Sequence, residues 1–426
     1  MPASRRAVLA GLAATAVAGV PRALAVPPRF IGLSYEIGEL VEGTRLSPQN
    51  RALVALLRRL GSEGLLRLGG NSSDRARAHP TIAAIERLAG FLRATGWSLL
   101  YGLDCGNGTP RQAADEAHAV ADAAGPALLA FQIGNEPDLF APKLRPRGWN
   151  VAEYLDEWRR FAETVLRRVP GARFAGPDIA ENGSWIMPFA ALRDPRPVLL
   201  TRHFYTEGPG SSPSVTIARM LGSTDKLAAA MRPAERAARA SGLPVRMAEA
   251  NSVYDGGRPG VSNTLAAAAW GAELMFRLAA AGWNGVNFHT RPDCSYAPLG
   301  EQTAGRPIAR PLYYGMLLFA QSRPCRVSVL PVRNAPAVSA YAIEGRDQRR
   351  RFAFINMSPR EPAHIALPGI AATRLIRLAA ASPAATSGVT LGGAEVANDG
   401  AWRPAFEPAD ARGGFDLPPG NAVLVW

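Results

Sequence analysis

The stretch Phe131-Gln-Ile-Gly-Asn-Glu-Pro-Asp138 decides the fold of this chain. The apolar run from residue 127 to residue 133 predicts a fully buried strand. Pro137 has no N–H to donate to a sheet, so the strand ends before it. Glu136 is therefore expected at the C-terminal tip of a buried strand, which is where a parallel α/β barrel carries its catalytic groups.

A second glutamate follows the same pattern further along the chain. The strand predicted from Val245 to Ala248 runs directly into Glu249. A single glutamate after a strand is more often a helix cap or a loop residue, and this alternative applies to Glu136 taken alone. Two carboxylates at two strand tips weaken that alternative, because the tips of parallel strands meet at one mouth of a barrel.

Most of the chain alternates short apolar strands with helical patterns. The strands are predicted at 30–34, 65–68, 98–103, 127–133, 173–176, 198–203, 245–248 and 285–289, and the helices at 51–60, 82–94, 112–124, 151–168, 227–241 and 265–281. Eight strands alternating with helices over about 290 residues are typical of an α/β fold of the (β/α)8 TIM-barrel type. We assign residues 26–322 to this barrel.

From about Cys325 onward the pattern changes to short strands without a helix. These strands are predicted at 327–330, 338–341, 352–355, 365–367, 374–378 and 423–426, and Gly, Pro, Asn and Asp turns separate them. Residues 323–426 are therefore expected to form a small antiparallel β-sandwich domain, closed by the final strand.

The composition is that of an ordinary globular protein, with 47% hydrophobic and 19% charged residues. The formal net charge is +13, and Lys143 and Lys226 are the only lysines, so the excess is almost all arginine. An arginine-rich genome is one explanation, and a preference for anionic partners is the other. The basic residues are dispersed and no nucleic-acid-binding motif is present, so an anionic polysaccharide fits better than nucleic acid.

The first 25 residues have the pattern of a targeting segment. Ser4-Arg5-Arg6-Ala-Val-Leu9 is a twin-arginine pattern, an Ala/Gly/Val-rich run continues to Val20, and Ala23-Leu24-Ala25 is a small-x-small cleavage site. The apolar run is too short for a stable membrane span. We expect export by the twin-arginine route to the periplasm or beyond, with no stable membrane insertion.

The chain contains three cysteines, Cys105, Cys294 and Cys325. No pair has the spacing of metal ligands, and we predict neither a metal site nor a cofactor. One disulfide could form in an exported chain, for instance between Cys294 and Cys325. Free buried cysteines are an equal alternative.

Paired carboxylates at one barrel mouth suit the hydrolysis of a glycosidic bond. In a retaining glycosidase the two carboxyl groups lie roughly 5–5.5 Å apart, one acting as general acid and base and the other as nucleophile. Asn135 is placed to bond the 2-hydroxyl of a sugar. Arg67, at the tip of the second strand, could hold Glu249 ionised, and Tyr205, at the tip of the sixth, could orient it. Packing at the barrel rim is the alternative for both residues.

Several segments together resemble glycoside hydrolase family 79, the β-glucuronidase and heparanase family. They are Gly32-Leu-Ser-Tyr-Glu36, Leu66-Arg-Leu-Gly-Gly-Asn71-Ser-Ser-Asp74, Gln132-Ile-Gly-Asn-Glu-Pro-Asp138, His203-Phe-Tyr205 and Glu249-Ala-Asn-Ser-Val-Tyr254-Asp-Gly256-Gly257. Each segment alone is weakly specific, whereas all of them in this order are specific, and they span the barrel. The resemblance implies Glu136 as the acid/base and Glu249 as the nucleophile of a retaining mechanism. It also implies that Glu36 and Asn135 bind sugar hydroxyls in the −1 subsite.

The resemblance further implies that the loop from Tyr254 to Gly257 binds the carboxylate of a uronic acid. A tyrosine hydroxyl together with N–H groups exposed at Gly256 and Gly257 can form an anion nest. A glycine-rich turn without a ligand is the alternative. Asp255 departs from the family pattern, in which another glycine is common, and its carboxylate would repel a uronate unless the side chain points away.

Two groups of basic residues are weaker candidates for substrate contact. His203 and His289 end the sixth and eighth strands, where satisfied rim histidines are equally expected. Six loop residues after strands four, seven and eight could grip an anionic polymer or be solvated surface groups. They are Lys143, Arg145, Arg147, Arg258, Arg306 and Arg310.

The residues and the resemblance together predict a retaining β-glucuronidase, with an acidic polysaccharide of the heparan sulfate type as the favoured substrate. Exo action on small or plant-type glucuronides stays open. A related retaining glycosidase acting on neutral sugars is a rival, and it requires that neither Tyr254 nor Gly256 faces the −1 subsite. A catalytically inactive glycan-binding protein is a rival of a different class, and it needs no paired carboxylates.

Overall fold

The computed structural model describes residues 9–11, 23–41, 43–75, 79–303, 305–347, 349–367, 373–409 and 414–426. The predicted fold class is confirmed, because eight parallel strands close into a barrel in chain order, with the eighth strand bonded to the first. The barrel strands are β1 (Ile31–Glu36), β2 (Leu65–Gly69), β3 (Ser98–Leu103), β4 (Leu128–Ile133), β5 (Phe174–Ile179), β6 (Leu199–Glu207), β7 (Val245–Val253) and β8 (Val286–His289).

Helices surround the barrel and cover the outer faces of its strands. They are α1 (Gly38–Val41), α2 (Arg51–Leu60), α3 (Asn71–Arg75), α4 (Ile82–Thr95), α5 (Pro110–Ala124), α6 (Val151–Arg168), α7 (Ile186–Ala190), α8 (Ile217–Gly222), α9 (Thr224–Ser241), α10 (Leu265–Ala280) and α11 (Pro311–Ala320). Capping residues explain where several begin. The Asn50 side chain accepts from the N–H of Leu53 at the start of α2, and Thr109 with Gln112 forms a capping box at α5.

The sequence pattern did not predict α11. Nine of its ten residues are buried, so the helix has no polar face. A helix that is apolar all round lacks the amphipathic signal by which surface helices are found. This helix packs against α10 and α2 and lies under the second domain.

The region after α11 is built of antiparallel strands, as expected. They are β11 (Cys325–Leu330), β12 (Val338–Gly345), β13 (Arg350–Asn356), β14 (Ala363–Ala366), β15 (Arg374–Ala379), β16 (Thr390–Leu391), β17 (Glu407–Pro408), β18 (Phe415–Leu417) and β19 (Ala422–Val425), preceded by a hairpin of β9 (Leu299–Thr303) and β10 (Arg306–Ala309). The larger sheet runs β16-β15-β19-β13-β12-β11, and β14 pairs with β18 in a second, smaller sheet. The final strand β19 lies in the middle of the larger sheet, bonded to β13 and β15, rather than at its edge.

Two irregularities in the barrel determine which side chains reach its interior. Adjacent residues of β6, Arg202 and His203, pair with Met247 and Glu249 of β7, so β7 contains one extra residue, Ala248. Between β5 and β6 the pairing likewise skips Asp178. Such bulges rotate the following side chain out of the regular alternation and are common beside active sites. The carboxylates of Glu249 and Asp178 thereby come to face the barrel interior.

The N-terminal segment is described only in part. Arg5 and Arg6 of the twin-arginine pattern lie outside the described residues, so export stays a prediction. Leu24–Ala25 forms a short strand on the edge of the larger sheet next to β11, and Leu9–Gly11 pairs with β14. The boundaries of the targeting segment and of the two domains also stay predictions. Within the described part of the chain, no helix combines the length and the apolar character needed to cross a membrane.

Candidate active site

A cavity of about 750 Å³ opens at the C-terminal mouth of the barrel. Glu136 lines it from the turn after β4, and Glu249 lines it from within β7. Other residues of its wall are Glu36, Asn71, Arg75, Leu139, Glu181, Arg202, His203, Tyr205, Tyr254, Asp255, Gly256, His289, Arg291 and Tyr296. Most of the residues singled out from the sequence therefore converge on one cleft of the kind that binds a ligand.

Glu136 lies on a sharp turn that follows β4. Its backbone is left-handed, with φ 51°, and Gly134 before it has φ 83°. This conformation is uncommon for a residue with a side chain, and residues held in such strained conformations cluster at functional sites. The N–H of Glu136 donates to the carbonyl of Asp178 at 3.0 Å, and its Oε1 lies 2.9 Å from Nδ1 of His203. The side chain keeps 18% of its surface exposed, so this carboxyl group is open to the cleft.

Glu249 is held more tightly than Glu136. Nη1 of Arg67 donates to its Oε2 and the hydroxyl of Tyr205 donates to its Oε1, both at 2.8 Å. Burial alone would raise the pKa of Glu249, but three nearby cations outweigh burial and lower that pKa; they are His289, His203 and Arg67. This carboxyl group is therefore ionised and oriented at neutral pH.

Arg67 is the centre of the hydrogen-bond network beneath the cleft. Its side chain is 1% exposed, and each of its five N–H groups has an acceptor. The acceptors are Ser34 Oγ, Gln132 Oε1, Asn135 Oδ1, Asp178 Oδ2 and Glu249 Oε2, at 2.6–2.9 Å. Burial would lower the pKa of Arg67, but the two carboxylates outweigh it and raise that pKa. The guanidinium therefore stays charged while it orients several side chains together.

Asp178 belongs to the same network, although sequence reasoning did not single it out. It is 1% exposed, and its Oδ1 lies 3.2 Å from Nε2 of His203. Burial would raise the pKa of Asp178, but Arg67 and His203 hold it well below its usual range. Burial would also lower the pKa of His203, but Asp178 and Glu249 raise it to about 10. The sequence held one signal that could have identified Asp178, namely a carboxylate two residues beyond the predicted fifth strand.

Glu136, His203 and Glu249 each point one polar atom at a common position. One carboxylate oxygen of each glutamate and one ring nitrogen of His203 form a triangle with sides no longer than 4.8 Å. Such a triangle resembles a cation site. His203, however, faces carboxylates with both ring nitrogens, and its raised pKa keeps the ring protonated. A protonated imidazole can donate from both ring nitrogens, which suits the carboxylates on either side of this ring.

Glu36 and His289 form the opposite wall of the cleft. Glu36 Oε2 accepts from both the N–H and the hydroxyl of Ser72, at 2.8 and 2.6 Å. His289 Nε2 lies 3.5 Å from Glu36 Oε1, and its Nδ1 lies 2.6 Å from the Tyr296 hydroxyl. Burial would raise the pKa of Glu36, but His289 and Ser72 lower it to about 2. This wall presents a fixed carboxylate and an imidazole to the cleft.

Asn135 lies behind Glu136 rather than on the cavity wall. Its Oδ1 accepts from Arg67 at 2.8 Å and its backbone N–H donates to Asp74. Asp74 also accepts from the N–H groups of Cys105 and Gly106 at 2.9 Å. The Nδ2 of Asn135 donates in none of the hydrogen bonds among the described residues, and a bond from Asn135 to a sugar hydroxyl stays a prediction.

The loop after β7 reaches the cleft with part of its predicted length. Tyr254, Asp255 and Gly256 line the cavity, and Asp255 and Gly256 have φ of 58° and 80°. Gly257, at φ 83°, lies behind the wall, where a Cβ would come within 2.9 Å of the Tyr296 backbone nitrogen. The Tyr254 ring lies close against Gly208, where a Cβ would meet it at 2.2 Å.

None of the six basic residues predicted to edge the cleft lines the cavity: Lys143, Arg147 and Arg306 are exposed, and the other three are bonded elsewhere. Arg145 pairs with Glu157 at 2.6 Å, and Arg258 and Arg310 donate to backbone carbonyls. The arginines that do line the cavity are Arg75, Arg202 and Arg291. All three cysteines are free and buried, so of the two alternatives the structure has the one without a disulfide.

Comparison with known proteins places the chain near β-glucuronidases. No family model matches it. It is 31% identical over 282 residues to a β-glucuronidase of Neurospora crassa, covering 55% of this chain and 49% of the relative. It is 25% identical over 262 residues to a β-glucuronidase of Aspergillus niger, covering 55% and 48%. The chain thus spans about half the length of the curated relatives it matches.

Solved structures match over nearly the whole chain. A 4-O-α-L-rhamnosyl-β-D-glucuronidase from Fusarium oxysporum superposes with a TM-score of 0.79 and 17% identity, over 96% of this chain and 99% of that chain. A family 51 α-L-arabinofuranosidase from Bifidobacterium longum superposes with a TM-score of 0.71 and 16% identity, over 98% of each chain. At these identities the likeness shows the fold alone. Membership of glycoside hydrolase family 79 stays a prediction.

Proposed function

We propose that this chain is a glycoside hydrolase of the retaining type that acts on β-glucuronides. The observation that carries the proposal is a distance at the mouth of the barrel: one carboxylate oxygen of Glu136 lies within 4.8 Å of one carboxylate oxygen of Glu249. Retaining enzymes hold their two carboxyl groups about 5–5.5 Å apart, whereas inverting enzymes leave roughly 6.5–9.5 Å for a water molecule. The sequence similarity to two proteins named β-glucuronidase supports the glucuronide substrate.

The two glutamates differ in the way the two roles require. Glu249 is clamped by Arg67 and Tyr205, and its pKa is lowered, so it is an ionised nucleophile with a fixed direction of attack. Glu136 keeps a more exposed carboxyl group, for which His203 is the side-chain hydrogen-bond partner within the described part of the chain. A group that gives and then takes a proton needs this access to the leaving oxygen and to water.

The reaction then follows in two balanced steps. An oxygen of Glu249 bonds to the anomeric carbon as the glycosidic C–O bond breaks, and Glu136 gives its proton to the leaving oxygen. In the second step the Glu136 carboxylate takes a proton from water, the water oxygen bonds to the anomeric carbon, and the ester bond to Glu249 breaks. Two displacements at one carbon retain its configuration.

The uronate carboxylate is proposed to bind at the loop from Tyr254 to Gly256, with Gly257 as a supporting residue. Tyr254 and Gly256 line the same cavity as the two glutamates, which is the opposite of what the neutral-sugar rival requires. Asp255 lines it as well, so its carboxylate must turn away from the bound uronate. Arg291 lies in the same wall, where its guanidinium donates to both carboxylate oxygens of Asp293 at 2.8 Å.

Two classes of glucuronide fit this proposal. A polymer of the heparan sulfate type agrees with the net charge of +13. A small glucuronide with a neutral leaving group agrees better with the wall beside Glu136, where Leu139 and the carboxylate of Glu181 lie. Arg145, Arg258 and Arg310 have partners within the protein, which weakens the case for a broad sulfate-binding edge.

The test compares wild type, Glu136→Ala and Glu249→Ala on a dinitrophenyl β-D-glucuronide and on heparan sulfate. We expect turnover by wild type and strong loss in both variants. Added azide should then yield the β-glucuronosyl azide from Glu136→Ala and the α-azide from Glu249→Ala, because azide replaces water in one case and the nucleophile in the other. Glu163→Ala, an exposed glutamate on α6, is the matched control.

The outcomes separate the readings of this cleft. Cleavage of the aryl glucuronide alone identifies the small substrate, and cleavage of heparan sulfate identifies the polymer. Turnover of neutral aryl glycosides only would overturn the uronate assignment. Salt-sensitive binding of heparan sulfate without any cleavage would leave a glycan-binding protein. Export is proposed from the twin-arginine pattern, and retention of an Arg5→Lys/Arg6→Lys variant in the cytoplasm would test it.

A further inference from the structure

Asp178 occupies an irregular position at the tip of β5. It is the extra residue where the pairing of β5 with β6 passes from Pro177–Thr201 to Ile179–Arg202. Its backbone has φ 62°, a conformation that costs free energy for a residue with a side chain. The bulge turns the Asp178 side chain into the barrel, where it is 1% exposed.

On one side, Asp178 holds the arginine that clamps the nucleophile. Its Oδ2 accepts from Nη2 of Arg67 at 2.6 Å, while Nη1 of the same guanidinium donates to Glu249 at 2.8 Å. A guanidinium is planar, so fixing Nη2 also fixes the direction of Nη1. The orientation of the Glu249 carboxylate is therefore tied to Asp178 through one rigid group.

On the other side, Asp178 faces the histidine that contacts the acid/base. Its Oδ1 lies 3.2 Å from Nε2 of His203, and Nδ1 of that ring lies 2.9 Å from Oε1 of Glu136. The backbone carbonyl of Asp178 also accepts from the N–H of Glu136 at 3.0 Å. Two separate contacts thus lead from Asp178 to Glu136.

We propose that Asp178 is a positioning residue for both glutamates, acting on Glu249 through Arg67 and on Glu136 through His203. The inference rests on the proposed retaining mechanism. Asp178 itself touches neither the substrate nor the reacting atoms. Its carboxylate lies between the two cations and keeps each directed at its own glutamate.

The total charge around Asp178 stays the same during the first step of the reaction. Before reaction, the positive charges of Arg67 and His203 balance the negative charges of Asp178 and Glu249. When the ester forms, Glu249 loses its charge and Glu136, having given up its proton, becomes a carboxylate. The total is unchanged, and the negative charge moves from the Arg67 side to the His203 side. With Asp178 fixed between them, neither cation has to move during the step.

Three charged groups from different parts of the barrel face His203, and their combined charge sets the pKa of its ring. Asp178 approaches it from β5, Glu136 from the turn after β4 and Glu249 from β7. All three are acidic, so each favours the protonated ring. Asp178 is itself faced by Arg67 from β2 and by the neutral amide of Gln132 from β4. Loss of the Asp178 charge should therefore release the His203 proton at a lower pH.

The experiment compares Asp178→Asn with wild type in steady-state kinetics and in ¹⁵N NMR of the histidine rings. Asparagine keeps the shape but loses the charge and turns an N–H₂ group toward a donor. We expect kcat on the aryl glucuronide to fall about 100-fold or more with KM changed less than about threefold. The His203 titration should fall from about 10 toward its ordinary value.

A matched control is Asp138→Asn, which removes a neighbouring carboxylate that accepts from the N–H groups of residues 180–182. Its His203 titration should stay at the wild-type position. Wild-type kcat together with an unmoved His203 titration in Asp178→Asn would overturn the inference. If that variant does not fold, wild type alone decides, because a His203 ring that is neutral at pH 8 contradicts the pairing. Absence of glucuronide turnover in wild type would instead refute the proposed function, and the NMR test would still stand.

Discussion

Two arginines are buried inside the barrel at its opposite ends, and comparing them shows what separates a site from a support. Arg67 is 1% exposed at the C-terminal mouth, and Arg246 is 0% exposed at the N-terminal end. Each donates five hydrogen bonds, so both guanidinium groups are fully satisfied. The two differ in the charge of their acceptors. Arg67 bonds to two carboxylates, whereas Arg246 bonds to one amide and four backbone carbonyls.

The acceptors of Arg246 explain its structural role. They are the side chain of Asn287 and the carbonyls of Arg29, Phe30, Asn284 and Val286, at 2.6–3.4 Å. These carbonyls lie at the beginnings of β1 and β8, so the side chain ties the lower rim of the barrel together. Glycines make room for it, since a Cβ at Gly32 would come within 2.6 Å of the guanidinium.

The difference between the two ends follows from electrostatics. Without a counter-charge, burial lowers the pKa of Arg246 to about 9, whereas the two carboxylates raise the pKa of Arg67. Burying several charges costs desolvation free energy that an apolar core would not incur. A dense network of buried charges at the mouth, with neutral acceptors at the base, therefore marks the mouth as the functional end.

The largest expected effect breaks the network at the mouth. In Arg67→Lys the charge is kept, but one ammonium cannot reach Glu249, Asp178 and Asn135 together. We expect kcat/KM for an aryl β-D-glucuronide to fall roughly 10²–10³-fold. The matched change Arg246→Lys should leave kcat/KM of the folded enzyme within about threefold, since that end of a barrel contributes stability. Equal losses in both variants would erase the contrast between the two ends.

The next effect appears in stability rather than in activity. Arg246→Met removes five hydrogen-bond donors and leaves their buried acceptor oxygens without partners. Water can reach these oxygens only at the rim of the barrel. We expect the free energy of unfolding to fall by about 3 kcal/mol. Chemical denaturation measures this loss, with the exposed Arg239→Met as the control, for which a change within about 0.5 kcal/mol is expected. A loss as small as the control's would show that Arg246 does not hold the rim.

The smallest effect tests the same contrast on a single hydrogen bond. The Tyr341 hydroxyl of the second domain donates to the buried Glu273 of α10 at 2.9 Å, whereas Tyr313 donates to the carbonyl of Leu56 at 2.8 Å. Bonds to charged groups contribute about 1.5–3 kcal/mol and neutral ones about 0.5–1.5 kcal/mol. Tyr341→Phe should therefore destabilise the protein more than Tyr313→Phe in thermal unfolding. The reverse order would argue against acceptor charge as the deciding variable.

Much of this molecule could be predicted from local pattern. The strand ending before Pro137 and the strand running into Glu249 predicted a barrel with two carboxylates at one mouth, and the structure has both there. Prediction was weaker where local pattern carries no signal. Helix α11 is buried on all sides, so its residues show no amphipathic period. The final strand β19 was expected to close the domain but lies inside its sheet, because strand order depends on contacts distant in sequence.

The sequence by itself determined the period of the elements, the breaks that end the strands and the residue types at their tips, because these depend on neighbouring residues and backbone chemistry. Only the tertiary structure decided which of those side chains meet. Asp178 lies 111 positions from Arg67 along the chain, yet the two are 2.6 Å apart. Their contact depends on a bulge in β5 and on the closure of the barrel. A bulge is specified by the register between strands, so no pattern within one strand could reveal it.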